Sequence, residues 1–376
     1  MSGGFFNIVL IVTGAFRAFS RSMVKYFNMD KVFFVLLLLA PAAIVAHYLG
    51  APAVIVFFLC AAAIVPLAKF IGEATEELAG RTSSAIGGFL NATFGNATEL
   101  IIGIFALKAG LLEVVKASIT GSIIGNLLLV LGTAMFLGGI KRNKQKFNKT
   151  AVLAGASSLL LASVALVLPA VFLWTAPSVG GSVVEELSVF VSVALVIGYA
   201  ANLLFSLHTH KHLYSEDVAK YEPKWSPAKA IVIMLVAMIA VSWVSEILVG
   251  AIVPVVAHFG WTQLFIGVVF VAVIGNIAEH LSAITVAVKN RMDLAIQISV
   301  GSATQMIMFV APALVILSLF IGKPMSLIFN VFELFSILFA VLITNAVVSD
   351  GESNWFEGVQ LILAYAIIAV AFYFHP

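Results

Sequence analysis

Gly95-Asn96-Ala97-Thr98-Glu99 and Gly275-Asn276-Ile277-Ala278-Glu279 decide how this chain is read. Each string sets a carboxylate inside a long apolar stretch, and the two lie 180 residues apart. Gly121-Ser122 recurs at the same offset as Gly301-Ser302. Thr75-Glu76-Glu77-Leu78-Ala79-Gly80 is similar to Ser245-Glu246-Ile247-Leu248-Val249-Gly250 at an offset of 170, so the second half carries about ten extra residues ahead of its Gly-Asn string. The chain reads as an internal duplication with a carboxylate at the heart of each copy.

The surroundings of those strings set the class. The chain is 62% hydrophobic and 10% charged, with a mean hydropathy of +1.13. A soluble domain needs far more charge on its surface. Apolar runs recur at the length of about 20 residues that crosses a hydrocarbon core of about 30 Å. The expected fold is an all-α polytopic membrane protein. The single cysteine, Cys60, excludes an internal disulfide and reads as a small packed residue. Residues 5–16 form an apolar run too short to span. No basic segment precedes it, so it reads as an interfacial helix rather than a cleaved leader, with Arg17, Arg21 and Lys25 toward lipid headgroups.

Eleven spans are expected, near 31–49, 52–71, 86–107, 115–138, 150–173, 186–207, 228–249, 262–288, 294–321, 326–347 and 356–374. With the N-terminus in the cytoplasm, 17 of the 20 Lys and Arg fall in inside loops; only Lys108, Lys116 and Lys323 fall outside. That is the positive-inside asymmetry, and a missed or added span would scramble it. The C-terminus then lies on the opposite side. Residues 1–51 hold the interfacial segment and the first, peripheral span; 52–207 form a first repeat of five spans, 208–227 a cytoplasmic linker, and 228–376 a second repeat. The Glu99 and Glu279 spans run in opposite directions, which makes the repeats inverted.

A charged side chain at the bilayer centre costs roughly 2.5–3.5 kcal/mol or more when unpaired. No Lys or Arg lies deep in a span as a permanent counter-ion, so the counter-ion has to come and go. Two carboxylates, Glu99 and Glu279, meeting at a pseudo-two-fold axis make a hard, oxygen-rich site suited to Ca²⁺. Without metal, close like charges favour proton uptake, so metal and protons compete. Asn96 and Asn276 stand three residues before their glutamates, on the same helix face, with amide oxygens to offer. Gly95 and Gly275 permit a helix break whose freed carbonyls join the site; alternatively, Gly and Asn serve helix packing.

Ser122, Ser302 and Gln305 are candidates for a proton path, or packing residues. Glu76 and Glu246 are candidates for gating or proton relay, or solvated span ends. Glu73 and Glu77 read as surface charges, and Glu333 has no counterpart. His208, His210 and His212 read as a solvated linker, and His280 as a neighbour able to tune Glu279.

At these residues the chain resembles the Ca²⁺/H⁺ exchanger (cation/proton exchanger) family of the Ca²⁺/cation antiporter superfamily. The strings that carry the resemblance are Gly95–Ile102, Gly275–Leu281, Gly301–Gln305, Leu207-His208-Thr209-His210-Lys211, Asp350-Gly351-Glu352-Ser353-Asn354-Trp355 and the closing Ala371–Pro376. The resemblance implies eleven transmembrane helices, one peripheral and ten in two inverted five-helix repeats. It implies Ca²⁺ held between Glu99 and Glu279 with Asn96 and Asn276 lining the site, and places Glu76, Ser122, Ser302 and Gln305 at positions linked to proton passage or gating. It implies antiport of Ca²⁺ against H⁺ by alternating access.

Two departures stand out. The linker has only Glu216, Asp217 and Glu222 against several Lys and His, unlike the acidic helix of some relatives. Position 306 is Met where the first repeat has Asn126. A Na⁺/Ca²⁺ exchanger of the same superfamily is the rival reading, and a cation channel a more remote one. No metalloprotease, nucleophile-elbow or nucleotide-binding motif stands out, so no enzyme activity, cofactor, nucleotide or nucleic-acid partner is expected. The expected partners are Ca²⁺, H⁺ and the lipid bilayer, and the short loops suit a microbial plasma membrane.

Overall fold

The computed structural model describes residue 33 and residues 35–82, 84–210 and 223–376. The run 5–16 with Arg17, Arg21 and Lys25, and His212, Glu216, Asp217 and Glu222 of the linker, lie outside the described residues.

Thirteen helices and one minimal β-pair are described. They are α1 (Leu39–Tyr48), α2 (Ala53–Ala79), α3 (Ser84–Phe94), α4 (Ala97–Ala109), α5 (Leu112–Gly139), α6 (Lys149–Thr175), α7 (Gly181–Thr209), α8 (Pro227–Phe259), α9 (Gln263–Gly275), α10 (Ile277–Val288), α11 (Met292–Ile321), α12 (Val331–Val347) and α13 (Trp355–Phe374). Seven are long and apolar enough to cross a membrane, and α9 with α10, bent by 59°, brings the number of candidate spans to eight when the pair is counted as one. The order of a helix, a broken pair and three further helices appears as α2–α7 and again as α8–α13.

Local chemistry sets the boundaries. Ser226 caps α8 ahead of Pro227, whose missing N–H costs nothing in a first turn. Asn330 and Asn354 open α12 and α13 with capping boxes closed by Glu333 and Glu357. Gly110, Gly260 and Gly322 end α4, α8 and α11 at positive φ, where a Cβ would be strained. The extra residues of the second half extend α8, which runs to Phe259, whereas the sequence places the end of that span near 249. The span expected at 86–107 is two helices, and the one expected at 326–347 starts only at Val331.

With no water to expel between helices, packing rests on close backbone approach at small residues. The long helices α2 and α8 pack along each other, and α1 lies against both. Burial grades the rest: 83% of the apolar window of α5 is buried, 56% for α11 and 22% for α7 and α13. α5 is therefore central, α7 and α13 face outward, and α11 is less enclosed than its counterpart α5. The only strands among the described residues, β1 (Gln145–Lys146) and β2 (Glu352–Ser353), pair antiparallel and tie the α5–α6 loop to the α12–α13 loop. The Lys144–Glu352 ion pair at 2.8 Å closes the same end of the molecule.

Candidate functional site

Both Gly-Asn strings are helix breaks. α3 stops at Phe94 and α4 starts at Ala97; α9 stops at Gly275 and α10 starts at Ile277. The asparagines sit at the hinges with φ/ψ of −99°/23° for Asn96 and −90°/11° for Asn276. Glu99 and Glu279 consequently fall in the first turns of α4 and α10. There, the N-terminal helix dipole favours an anionic side chain.

The two carboxylates come together where the breaks meet. Glu99 lies against Gly275: a Cβ built there would stand 3.0 Å from Glu99 Cγ and 3.4 Å from its Cδ. Glycine at 275 is thus what admits the Glu99 carboxylate between the halves. Glu279 is within electrostatic reach of it. Both oxygens of Glu99, Glu279 Oε2 and Asn96 Oδ1 are buried without a hydrogen-bond partner. Unpaired buried anions are costly, so these oxygens call for a cation or a proton.

The asparagines are not equivalent. Asn96 Nδ2 donates to Gln305 Oε1, which turns its own oxygen free into the site. Asn276 Nδ2 donates to Ser122 Oγ at 2.7 Å and to the Ala272 carbonyl at 2.9 Å, and its Oδ1 accepts from Asn126 Nδ2 at 2.9 Å. Asn126 Nδ2 also donates to Ser302 Oγ at 2.9 Å. Asn276 therefore presents an oxygen already engaged. The cause is the Asn126/Met306 difference, since Met306, at the matching position of α11, has no N–H to offer Asn96. Sequence reasoning missed the role of Asn126; its signal was an amide in an apolar run, four residues after Ser122. A π-helical turn at Gly125–Val130 positions it, and a second at Met306–Val310 marks the matching place in α11. Such turns are frequent where a helix carries function.

A cavity of about 320 Å³ reaches this centre, lined among others by Glu76, Gly95, Glu279, Ser302 and Gln305. It also reaches Asn91 of α3, Ser282 of α10 and Leu294 of α11. Glu246 is elsewhere, in a separate cleft of about 340 Å³ with His47, Tyr48 and Trp243. Glu77 is a correction: it is 2% exposed and accepts from the backbone N–H groups of Lys224 and Trp225, both at 3.0 Å, so it anchors the end of the linker and is no surface charge. Glu73 pairs with Lys69 at 3.2 Å. Glu333 caps α12 and accepts from Thr120 Oγ1 at 3.1 Å. His280 is buried. His208 and His210 lie at the end of α7, where His210 stacks on Phe205.

Opposite the cavity the centre is sealed. A Cβ on Gly121 would stand 2.1 Å from the Val268 carbonyl oxygen, and one on Gly267 would stand 2.4 Å from Ala117 Cβ. α9 thus lies on the backbone of α5.

Comparison with known proteins agrees with this architecture. Residues 52–208 and 229–374 match the family model described as sodium/calcium exchanger protein. A Ca²⁺/H⁺ antiporter of Synechocystis sp. is 47% identical over 92% of this chain and 98% of its own length. A Ca²⁺/H⁺ antiporter of Aphanothece halophytica is 45% identical over 93% of this chain and 98% of its own. The solved structure of YfkE superposes with a TM-score of 0.81 at 41% identity, covering 91% of this chain and all of that one.

Proposed function

Since the chain belongs to the sodium/calcium exchanger protein family, we propose that it is a Ca²⁺/H⁺ antiporter in which Glu99 and Glu279 hold Ca²⁺ and protons by turns. The observation that carries the reading is the group of partnerless buried oxygens, Glu99 Oε1 and Oε2, Glu279 Oε2 and Asn96 Oδ1, of which Glu279 lines a cavity. Ca²⁺ accepts 6–8 oxygens, and the carbonyls freed at the two breaks with cavity water supply the remainder.

The eleven-span count adds α1, the α3–α4 pair and α12 to the eight candidate spans above. The two units α2–α7 and α8–α13 are then inverted repeats. By the distribution of Lys and Arg, the mouth of the large cavity is cytoplasmic and the sealed α5–α9 seam faces the other side. In this arrangement the site exchanges with the cytoplasm. Exposure to the far side requires α9 to leave α5 and α3 to settle on α11. Binding Ca²⁺ releases protons from the carboxylates and protonation releases Ca²⁺, so an imposed proton gradient drives Ca²⁺ uphill.

Glu99→Gln and Glu279→Gln each remove a negative charge while keeping shape. In proteoliposomes, both variants are expected to elute as folded protein and to show no pH-driven ⁴⁵Ca²⁺ uptake. Wild-type uptake by Glu279→Gln would overturn the assignment.

A further inference from the structure

The strap 140–148 between α5 and α6 and the strap 322–330 between α11 and α12 stand at matching places in the two halves and have the same length. Both end in Phe-Asn: Phe147 and Phe329 are buried, and Asn148 and Asn330 cap the helices that follow. The straps differ in charge. The second holds one cation, Lys323. The first holds Lys141, Arg142, Lys144 and Lys146, with Lys149 one residue beyond its end and no acid among them. A strap of this length and anchoring thus forms without lysines, so the fold does not account for them.

The charged strap is also a hub. Arg142 donates to the Gly138 carbonyl at 2.7 Å and to the Val288 carbonyl at 3.0 Å. Gln145 Nε2 donates to the Ala287 carbonyl and to Asn290 Oδ1, both at 3.0 Å, and the Asn148 N–H donates to Asp293 Oδ1. These bonds fix the strap to the hairpin of α10 and α11, which carries Glu279. The β1–β2 pair and the Lys144–Glu352 ion pair fix it to the start of α13. Gln145 and Phe147 are buried, whereas Lys141, Lys146 and Lys149 stay exposed, as does Lys289 on the hairpin turn. The ammonium groups of Lys141 and Lys146 have no hydrogen-bond or ion-pair partner among the described residues. The acids of these loops are engaged: Asp293 and Glu352 as above, Asp350 by the Glu352 N–H at 3.0 Å and Glu357 by the Asn354 N–H at 3.1 Å.

Trp355 and Phe356, the first residues of α13, are 47% and 55% exposed at the same end. Exposed aromatic rings at a helix end mark the level where hydrocarbon gives way to headgroups. Lysines next to that level meet lipid phosphates, and a cluster of Lys and Arg just outside a membrane helix recognises anionic lipid. We propose that the lysine strap at 141–149 binds anionic phospholipid headgroups, with Lys141 and Lys146 as its free contacts. Bound headgroups neutralise lysines that otherwise repel one another, and through Arg142 and Gln145 they steady the α10–α11 hairpin. A free anion has no acyl chains to hold it at the level of Trp355, so the ligand is the lipid. The inference goes beyond the antiporter reading and does not depend on which ions are carried.

The test compares two variants of equal charge, each in the full-length protein in a nonionic detergent. One is Lys141→Gln with Lys146→Gln; the other is Lys108→Gln with Lys323→Gln, two exposed lysines at the opposite end. Melting temperature is followed as phosphatidylglycerol or phosphatidylcholine is titrated in. Wild type is expected to rise further with phosphatidylglycerol. The Lys108/Lys323 variant loses the Lys323 bond to the Lys108 carbonyl, which lowers its melting in both lipids alike and leaves the extra rise intact. The Lys141/Lys146 variant should melt as wild type in phosphatidylcholine and need about fivefold more phosphatidylglycerol for each lysine removed. Equal lipid responses in the two variants, or no extra rise in wild type, would overturn the proposal. So would a wild-type rise reproduced by inorganic phosphate, or a Lys141/Lys146 variant that melts lower in phosphatidylcholine, since the lysines would then be structural. Melting requires no transport, so failure of the antiporter reading is read separately, as absent gradient-driven uptake in wild type.

Discussion

At one end of the molecule α9 lies on α5; at the other its sequence counterpart, α3, stands away from α11. The residues at the two seams correspond, Gly267 with Gly87, Ala117 with Gln297, and Gly121 with Gly301. At the first seam the glycines admit backbone contact. At the second, Gly301 faces open space, and α3 leans on α7 instead, where a Cβ on Gly88 would stand 2.2 Å from Leu207 Cδ1. The same halves therefore occupy two arrangements at once, one closed and one open. Packed interfaces switch between discrete arrangements rather than deform continuously, so the open seam shows what the closed one becomes.

The largest expected effect comes from adding one methyl to each seam. Gly121→Ala drives a Cβ into the Val268 backbone, and overpacking of this kind costs about 1–3 kcal/mol. Its melting temperature in detergent should fall by several degrees, and transport should fall with it. Gly301→Ala adds a methyl to open space. It should melt as wild type yet turn over slowly, because the methyl meets backbone only when the inner seam closes. Equal melting temperatures for the two variants would break the comparison.

A second prediction concerns the amide network. Asn276→Ala takes the acceptor from one Asn126 N–H and the donor from Ser122 Oγ, and leaving buried polar groups unmet costs about 1–3 kcal/mol. Asn96→Ala removes one bond to Gln305 and a free oxygen. Asn276→Ala is therefore expected to lower thermal stability more, and Asn96→Ala to raise the Ca²⁺ concentration at half-maximal uptake more. The reverse ranking, read by melting and by uptake titration, would make the two halves equivalent after all.

A smaller effect tests the sealed end. Glu333→Gln weakens the α12 cap and the bond from Thr120, a loss of about 1 kcal/mol. Stability should drop slightly with transport retained. Loss of transport with unchanged melting would give Glu333 a functional role.

Much of this was legible in the residues. Apolar run length anticipated the seven or eight candidate membrane spans, because a bilayer imposes that length. The duplicated Gly-Asn-x-x-Glu strings pointed to the centre, since a carboxylate at membrane depth needs a partner. The breaks at 95–96 and 275–276 were foreseen only as permission, because glycine allows a hinge without requiring one. The extension of α8 was visible as a change of offset but not as helix. Asn126 and Glu77 escaped for one reason: each is satisfied by residues more than 140 positions away, Asn126 by Asn276 and Glu77 by Lys224 and Trp225. No local pattern reports such pairing.

The most direct measurement is ⁴⁵Ca²⁺ uptake into proteoliposomes under an imposed pH gradient in Na⁺-free buffer, with Ca²⁺ titrated at several values of pH. Uptake should follow the proton gradient without Na⁺, and the Ca²⁺ concentration at half-maximal rate should rise as pH falls on both sides, because protons and Ca²⁺ claim the same oxygens. Uptake that appears only with a Na⁺ gradient, or a half-maximal concentration indifferent to pH, would contradict the account.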